Sequence, residues 1–251
     1  MVPEFILGIL DPCLAKVMGL QVSFVYLRGV LVEMSAMLEE RVRFGEAGIY
    51  LEGLMHRGRR DSPGVVLCHP HPNFGGTMNF YLLTDLVREF SKEGFTTLRF
   101  NYRGVPPSTG TYGNGSGEVE DIVKAVGFIR KQQNMSGERL ALVGYSFGGS
   151  LVLLAAERAK PKVIVSISPA TNPPETRLDV LDYAQRIAVP VMLVHGKADE
   201  MVPYTDSEKI YKSLRNTMEK DLQFIDGANH IYTGKGKTVV SLVSRFIGKY
   251  L

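Results

Sequence analysis

The sequence contains no tryptophan, only two cysteines and no long uninterrupted apolar run. The two cysteines, Cys13 and Cys68, are too few for a disulfide framework, so the sequence predicts a reducing compartment and a cytoplasmic location. Residues 17–32 are mostly apolar, but Arg28 interrupts them and they fall short of the roughly 20 residues that span a bilayer. Neither a basic leader nor a small-residue cleavage site is visible, so we expect no membrane span and no secretion signal.

The chain also lacks a strong excess of either charge. Its net charge is +3 over 251 residues, and its lysines and arginines are scattered. This distribution argues against nucleic acid as a partner and favours a small uncharged or mildly anionic ligand. Hydrophobic residues make up 45% and charged residues 22% of the chain, which predicts a packed core.

The length fits one domain with an appendage. Regular patterns begin at Leu38, so residues 38–251 are predicted to form the domain and residues 1–37 an N-terminal extension. This extension either has no catalytic importance or forms a helix that covers the site or contacts a partner. An exposed face of the extension is also compatible with a homodimer, which the sequence does not decide.

From residue 64 onward, short apolar runs alternate with amphipathic helical periods. The runs predict buried strands at residues 64–69, 95–101, 139–143, 162–167, 190–195 and 221–226. Helical periods are predicted at residues 83–90, 119–126, 210–214 and 239–250. Two earlier runs, 38–44 and 49–56, predict an antiparallel hairpin, and residues 109–117 predict a flexible loop. Because this alternation requires crossovers, we expect an α/β fold: a mostly parallel sheet with helices on both faces and an antiparallel N-terminal hairpin.

The stretch GYSFGG, residues 144–149, lies between a predicted strand and an apolar helix. A serine on so sharp a turn needs small neighbours, and Gly144 and Gly148 supply that space around Ser146. The N–H of Phe147 then points to where an oxyanion would develop. The pattern predicts Ser146 as a nucleophile, although a glycine-rich strand-to-helix turn with no catalytic role can have the same sequence pattern.

A serine nucleophile needs a histidine base and a carboxylate that orients the base. Only His195 and His230 follow Ser146 at predicted strand ends. His195 ends its strand and suits a structural role, whereas His230 lies in the loop GANHIY, from which a mobile imidazole can reach the serine. Asp199 in HGKADEMVP is the predicted acid, with the adjacent Glu200 and the later Asp226 as rivals.

A second oxyanion donor is expected in the loop HPHPNFGG, residues 69–76. Pro70 and Pro72 have no N–H to donate. The free amides closest to the sheet edge are those of His71, Asn73 and Phe74, and we predict that the amide of Asn73 or Phe74 joins that of Phe147. Two histidines at i and i+2, without a cluster of carboxylates or cysteines, make a poor zinc signature, so we expect neither a metal nor a cofactor.

These motifs, in this order and at strand ends, resemble the α/β-hydrolase superfamily over residues 38–251. HPHPNFGGTMN followed by RFNYRGVPPSTG is similar to small bacterial and archaeal hydrolases, the dienelactone-hydrolase-like and serine-peptidase-like esterases without a large lid. The resemblance implies a serine esterase with Ser146 as nucleophile, Asp199 as acid and His230 as base. Dienelactone hydrolases proper use a cysteine nucleophile, so their lactone specificity does not carry over to this serine.

The expected function is hydrolysis of small-molecule carboxylic esters. Residues 168–189 can supply only one helix and a short loop between two strands, which favours an open pocket for short acyl groups. Its predicted lining residues are Tyr145, Tyr112 and Ile231, with Phe74 and Phe147. Thioester and peptide cleavage share this chemistry, and a non-catalytic ligand-binding protein of the same fold is the alternative from another class.

Overall fold

The first described strands form the antiparallel hairpin that the sequence predicts. The computed structural model describes residues 39–132 and 135–251. Strands β1 (Glu39–Glu46) and β2 (Ile49–His56) pair over their whole length, from Glu39 opposite His56 to Glu46 opposite Ile49. The predicted extension over residues 1–37 lies outside the described residues, as does Leu38.

In the described part of the chain, eight strands form one sheet in the order β1-β2-β4-β3-β5-β6-β7-β8. β2 also runs antiparallel to β4, and every later pairing is parallel. This arrangement confirms the predicted fold class. The remaining strands are β3 (Ser62–Cys68), β4 (Thr96–Phe100), β5 (Met135–Tyr145), β6 (Val163–Ile167), β7 (Val191–Gly196) and β8 (Lys220–Ile225).

Six α-helices in the described ranges cover the two faces of the sheet. On one face lie α1 (Tyr81–Glu93) and α6 (Gly236–Tyr250). The other face carries α2 (Ser116–Arg130), α3 (Phe147–Ala159), α4 (Val180–Ala184) and α5 (Tyr204–Ser213). A short 3₁₀ helix, Pro72–Phe74, follows β3.

The core consists of two apolar layers, one on each side of the sheet. Val65 and Leu67 of β3 pack into one layer, whereas Val66 and Cys68 pack into the other. Because successive side chains of a strand point to opposite faces, an uninterrupted apolar run is what a strand buried on both faces requires. Each fully buried Val or Leu side chain contributes about 1.5–3 kcal/mol to folding. The edge strand β8 is only half-buried over most of its length.

Two sequence predictions need correction. β5 begins at Met135, before the predicted residue 139, and lies next to β3 in the middle of the sheet. Residues 109–117 are not simply a flexible loop. Thr109 donates its N–H to the Tyr50 carbonyl at 2.8 Å, the buried Glu118 accepts N–H bonds from Gly113 and Gly115, and α2 begins at Ser116. The carboxylate of Glu118 fixes this end of the loop.

The parallel strands bring their carboxyl ends to one edge of the sheet. At this edge β5 leads into Ser146, β7 into the loop of Asp199, and β8 into the loop of His230. The segment between β6 and β7 contains one short helix, α4, as the sequence predicts. Within residues 39–132 and 135–251, no helix is both long and apolar enough to cross a bilayer.

Candidate active site

Ser146 stands on the tight turn between β5 and α3. Its backbone has a φ of 56° and a ψ of −116°, a strained conformation that costs a non-glycine residue about 1–3 kcal/mol. A Cβ added to Gly144 would lie 2.1 Å from the carbonyl oxygen of Gly148, and one added to Gly148 would lie 2.3 Å from that of Cys68. Only glycine fits at these two positions, because the turn packs directly against β3 and α3.

The structure brings Ser146, His230 and Asp199 together in a chain of hydrogen bonds. His230 Nε2 lies 3.0 Å from Ser146 Oγ, and His230 Nδ1 lies 2.7 Å from Asp199 Oδ2. Since the Asp199 carboxylate can only accept, Nδ1 carries the hydrogen, and the unprotonated Nε2 accepts from the serine hydroxyl. The imidazole is thus oriented to take up the serine proton.

The side chain of Asp199 is fully buried, and protein groups supply its hydrogen-bond donors. Oδ1 accepts the N–H groups of Met201 at 3.0 Å and Val202 at 2.8 Å. Burial acts to raise the pKa of Asp199, but hydrogen bonds from His195, His230 and the Val202 amide outweigh it and hold the pKa well below the usual value. Asp199 therefore stays ionised across the neutral range.

Neither rival carboxylate takes this place. Glu200 is exposed to solvent. Asp226 follows β8 with its side chain 86% exposed and pairs with Lys197 at 3.0 Å. Of the three carboxylates that the sequence offers, Asp199 alone contacts the His230 imidazole in the described structure.

The loop that carries His230 is held in place by tyrosine hydroxyls. Tyr145 donates to the His230 carbonyl at 2.8 Å, and Tyr81 donates to the Ile231 carbonyl. Tyr232 bonds the Ser168 hydroxyl at 2.8 Å. In the structure His230 is buried and lies within hydrogen-bonding reach of the serine, so the contact needs no movement of the loop from this conformation.

Tyr145 is a support for this loop and does not line an open pocket. Its side chain is buried, stacks on the Phe80 ring with 4.7 Å between ring centroids, and lies beside the His230 ring. The expected substrate contact through Tyr145 is therefore corrected. Tyr145 shares the layer of Ala141 and Val143, as the two-residue period of β5 requires, so this strand period was a signal for its burial.

The Asn73 and Phe74 amides are already engaged, which corrects the predicted second oxyanion donor. The Asn73 N–H donates to His71 Nδ1 at 3.2 Å, and the Phe74 N–H donates to the His71 carbonyl at 3.1 Å. By contrast, the backbone N–H groups of His71 and Phe147 have no acceptor within the described residues. The His71 ring packs on the Phe147 ring with 4.4 Å between centroids, so His71 lies next to the serine turn.

A polar cluster extends from this point to the loop after β6. His71 Nε2 lies 3.1 Å from the Tyr112 hydroxyl, and the Asn73 side-chain amide donates to Glu175 at 2.6 Å. Burial lowers the pKa of His71, and the nearby Pro174 carbonyl and the Glu175 charge act against that effect. Tyr112 is half-buried here, whereas Phe74 and Ile231 are exposed, at 65% and 48%. Tyr112 and Phe74 contact the His71 ring, and Ile231 follows His230 in its loop.

His69 begins the loop after β3 and is fully buried. Its Nδ1–H donates to the Pro70 carbonyl at 2.6 Å, and its Nε2 accepts the Tyr102 N–H at 3.1 Å. Both ring nitrogens are thus engaged by the protein. Across the described part of the chain, no three Asp, Glu, His or Cys side chains gather as a metal site requires. Burial lowers the pKa of His69 to about 3.

Acidification should destabilise the fold through His69. Between pH 6.5 and 3 the unfolded chain binds a proton that the folded chain excludes, so the free energy of unfolding falls as the pH drops. This contribution is fully present above pH 6.5 and is lost below it by up to about 1.4 kcal/mol per pH unit. Urea unfolding at pH 7 and pH 5 should show a smaller acid loss in His69→Gln than in the parent. Equal losses of unfolding free energy in the parent and the variant would contradict the attribution of the acid sensitivity to His69.

A sequence model of the dienelactone hydrolase family matches residues 110–243, just over half of the chain. The chain is also similar to the uncharacterized protein RP471 from Rickettsia prowazekii. The two are 27% identical over 193 residues, which cover 74% of this chain and 79% of RP471. The matched range includes Ser146, Asp199 and His230.

Solved structures share the fold along most of the chain. ATU1826 from Agrobacterium tumefaciens is 27% identical with a TM-score of 0.74, over 84% of this chain and 95% of that one. XC6422 from Xanthomonas campestris, an α/β serine hydrolase without a lid, is 24% identical with a TM-score of 0.72, over 85% and 95%. Together with the sheet order, these similarities show an α/β-hydrolase fold.

Proposed function

The chain belongs to the dienelactone hydrolase family, and on that premise we propose that it is a serine esterase that cleaves short-chain carboxylic esters through an acyl-enzyme. The observation that carries the proposal is the His230 imidazole, 3.0 Å from the Ser146 hydroxyl and 2.7 Å from the Asp199 carboxylate. This geometry suits proton removal from a serine nucleophile.

The reaction begins when Ser146 Oγ attacks the ester carbonyl and His230 Nε2 takes up the serine proton. Asp199 stabilises the resulting imidazolium, because its ionised carboxylate accepts from Nδ1. The imidazolium then protonates the alcohol that leaves. Water attacks the acyl-enzyme in the second step, again with His230 as the base, and releases the acid.

The oxyanion binds the backbone N–H groups of Phe147 and His71. Both amides lack an acceptor among the described residues, and the two residues pack against each other at the serine turn. The Phe147 amide also begins α3, where the helix dipole favours negative charge. Such donors are typically worth about 10²- to 10³-fold in kcat each.

Tyr112 contributes a hydrogen-bond donor to substrate recognition. Because His71 Nδ1 accepts the Asn73 N–H, Nε2 carries the ring hydrogen and donates toward the Tyr112 oxygen. The Tyr112 hydroxyl hydrogen then has no acceptor in the described part of the chain and is available to an oxygen of the substrate. Ile231 and Phe74 add an apolar rim to this side of the site.

Tyr112→Phe should lower kcat/KM selectively. Esters with an ether oxygen in the acyl or alcohol chain should lose about 3- to 10-fold, because one neutral hydrogen bond disappears. Their all-carbon counterparts should change less than about twofold. Matched p-nitrophenyl and ethyl esters, with the oxygen placed at successive positions, provide the measurement. A uniform loss across both series would argue against recognition by this hydroxyl.

The experiment that tests the function combines covalent labelling with turnover. A fluorophosphonate should label Ser146, and p-nitrophenyl esters of increasing acyl length should show the highest kcat/KM for short chains. Matched thioesters and peptides belong in the same panel, since preference for either would replace the ester assignment. Labelling without turnover on any of these substrates would instead favour a ligand-binding protein. The cytoplasmic location and the homodimer stay predictions.

A further inference from the structure

A second imidazole contacts the Asp199 carboxylate. His195, near the carboxyl end of β7, is fully buried, and its Nε2 lies 3.0 Å from the Val202 carbonyl and 3.2 Å from Asp199 Oδ2. Its Nδ1 lies 2.7 Å from the Ser207 hydroxyl at the start of α5. The carboxylate oxygen that faces His230 therefore faces a second histidine as well.

The contacts of His195 fix which of its nitrogens carries the hydrogen. Nε2 faces only acceptors, the Val202 carbonyl and the Asp199 carboxylate, so it must be protonated. The unprotonated Nδ1 then accepts from the Ser207 hydroxyl, which can donate. The Val202 carbonyl and the Asp199 carboxylate thus select the tautomer of His195, and His195 directs one polar hydrogen at both ends of the 199–202 turn.

We propose that His195 is a positioning residue for the serine hydrolysis described above, and the proposal rests on that function. It holds the Asp199 turn so that Oδ2 points at His230 Nδ1, and its N–H draws charge from the same oxygen. Oδ1 is separately fixed by the Met201 and Val202 amides. The carboxylate consequently has one orientation. Its electrostatic attraction for the Nδ1 hydrogen of His230 is weaker than it would be without the His195 N–H.

Asp199 is the charged side chain that contacts the His230 imidazole in the described site, at 2.7 Å from Nδ1. The buried His230 ring also faces the Ser146 hydroxyl and the Tyr145 ring. The centroids of the Tyr145 and His230 rings are 5.4 Å apart. The Tyr81 and Tyr232 hydroxyls bond its loop and a neighbouring serine. All three tyrosines stay neutral near pH 7, because burial raises the pKa of each. Removal of the His195 N–H should therefore increase the attraction between Asp199 and a protonated His230.

Two variants separate positioning from simple packing. His195→Gln places an amide N–H near the position of Nε2 and keeps a donor for Asp199 and Val202. His195→Asn is shorter, so its amide reaches toward Ser207 and leaves Asp199 and Val202 without that donor. Both variants are polar and uncharged, and thermal unfolding of each verifies that it is folded.

The asparagine variant should lose about 10-fold or more in kcat with little change in KM, since a charged hydrogen-bond acceptor loses its donor. The acid limb of its kcat/KM profile should move upward by about half to one pH unit, because the unshielded carboxylate favours protonated His230. The glutamine variant should restore both values to near the parental ones. If the two folded variants share the parental acid limb and kcat, the proposal is overturned.

A readout without turnover distinguishes this proposal from the proposed function. Imidazole NMR of His230 reports its protonation midpoint in the full-length parent and in both variants. A higher midpoint in His195→Asn than in His195→Gln supports the positioning role even if no ester is cleaved. Identical midpoints overturn it even if the parent is an active esterase.

Discussion

Ser146→Ala is expected to lower kcat for ester hydrolysis by about 10⁴- to 10⁶-fold, because the acyl-enzyme can no longer form. The remaining rate reflects the backbone amides and substrate binding alone. The fold should survive, since the Ser146 N–H to Ile167 carbonyl bond of 2.7 Å belongs to the backbone and alanine retains it. Hydrolysis of p-nitrophenyl acetate by parent and variant gives the comparison.

The matched control is Ser241→Ala on the exposed side of α6. This change removes an exposed serine hydroxyl that has no part in the proposed site and should leave kcat within about twofold, as surface substitutions usually do. A Ser146→Ala protein with the parental rate would exclude Ser146 as the nucleophile.

Asp199→Asn is expected to reduce kcat by about 10⁴-fold while the protein remains folded. A neutral amide cannot stabilise the imidazolium that forms on His230. If the new amide N–H faces His230 Nδ1, that nitrogen must become the acceptor, and the ring hydrogen then moves to Nε2. In that tautomer the imidazole cannot accept the proton of Ser146.

Two nearby carboxylates serve as controls for this substitution. Glu200→Gln alters an exposed neighbour, and Asp226→Asn breaks only the exposed pair with Lys197. Both should leave kcat/KM within about twofold, because water and salt screen exposed charges. A loss in Glu200→Gln as large as that in Asp199→Asn would mean that the orienting acid is misassigned.

The sheet could be predicted because burial on both faces leaves a plain record in the sequence. The runs VVLC of β3 and LALV of β5 are apolar at every position, since odd and even residues enter different apolar layers. The loop of Asp199 was likewise identifiable, because it follows the buried strand β7 with its apolar run VMLV. The loop of His230 follows β8, whose pattern is weaker because this edge strand carries polar residues and is only half-buried. Strand order and sequence position together bring both loops to the edge at which Ser146 stands.

Availability of a backbone amide could not be predicted in the same way. Whether Asn73 or Phe74 can donate depends on the His71 side chain and carbonyl, which capture both N–H groups. The contact between His195 and Asp199 was also missed, although the spacing of four residues was visible. A single turn had to close between the two residues before the imidazole and the carboxylate could meet.

The tyrosine hydroxyls that anchor the His230 loop have a further consequence. They hold the backbone of the His230 loop through its carbonyl groups. The side chains of Phe74, Tyr112 and Ile231 take no part in these bonds and are left for contact with a substrate. In the proposed esterase, the residues that carry out the chemical step and those expected to contact the substrate are therefore separate groups of side chains. Descendants of this chain could acquire new preferences by exchanging rim residues while the chemical step stays intact.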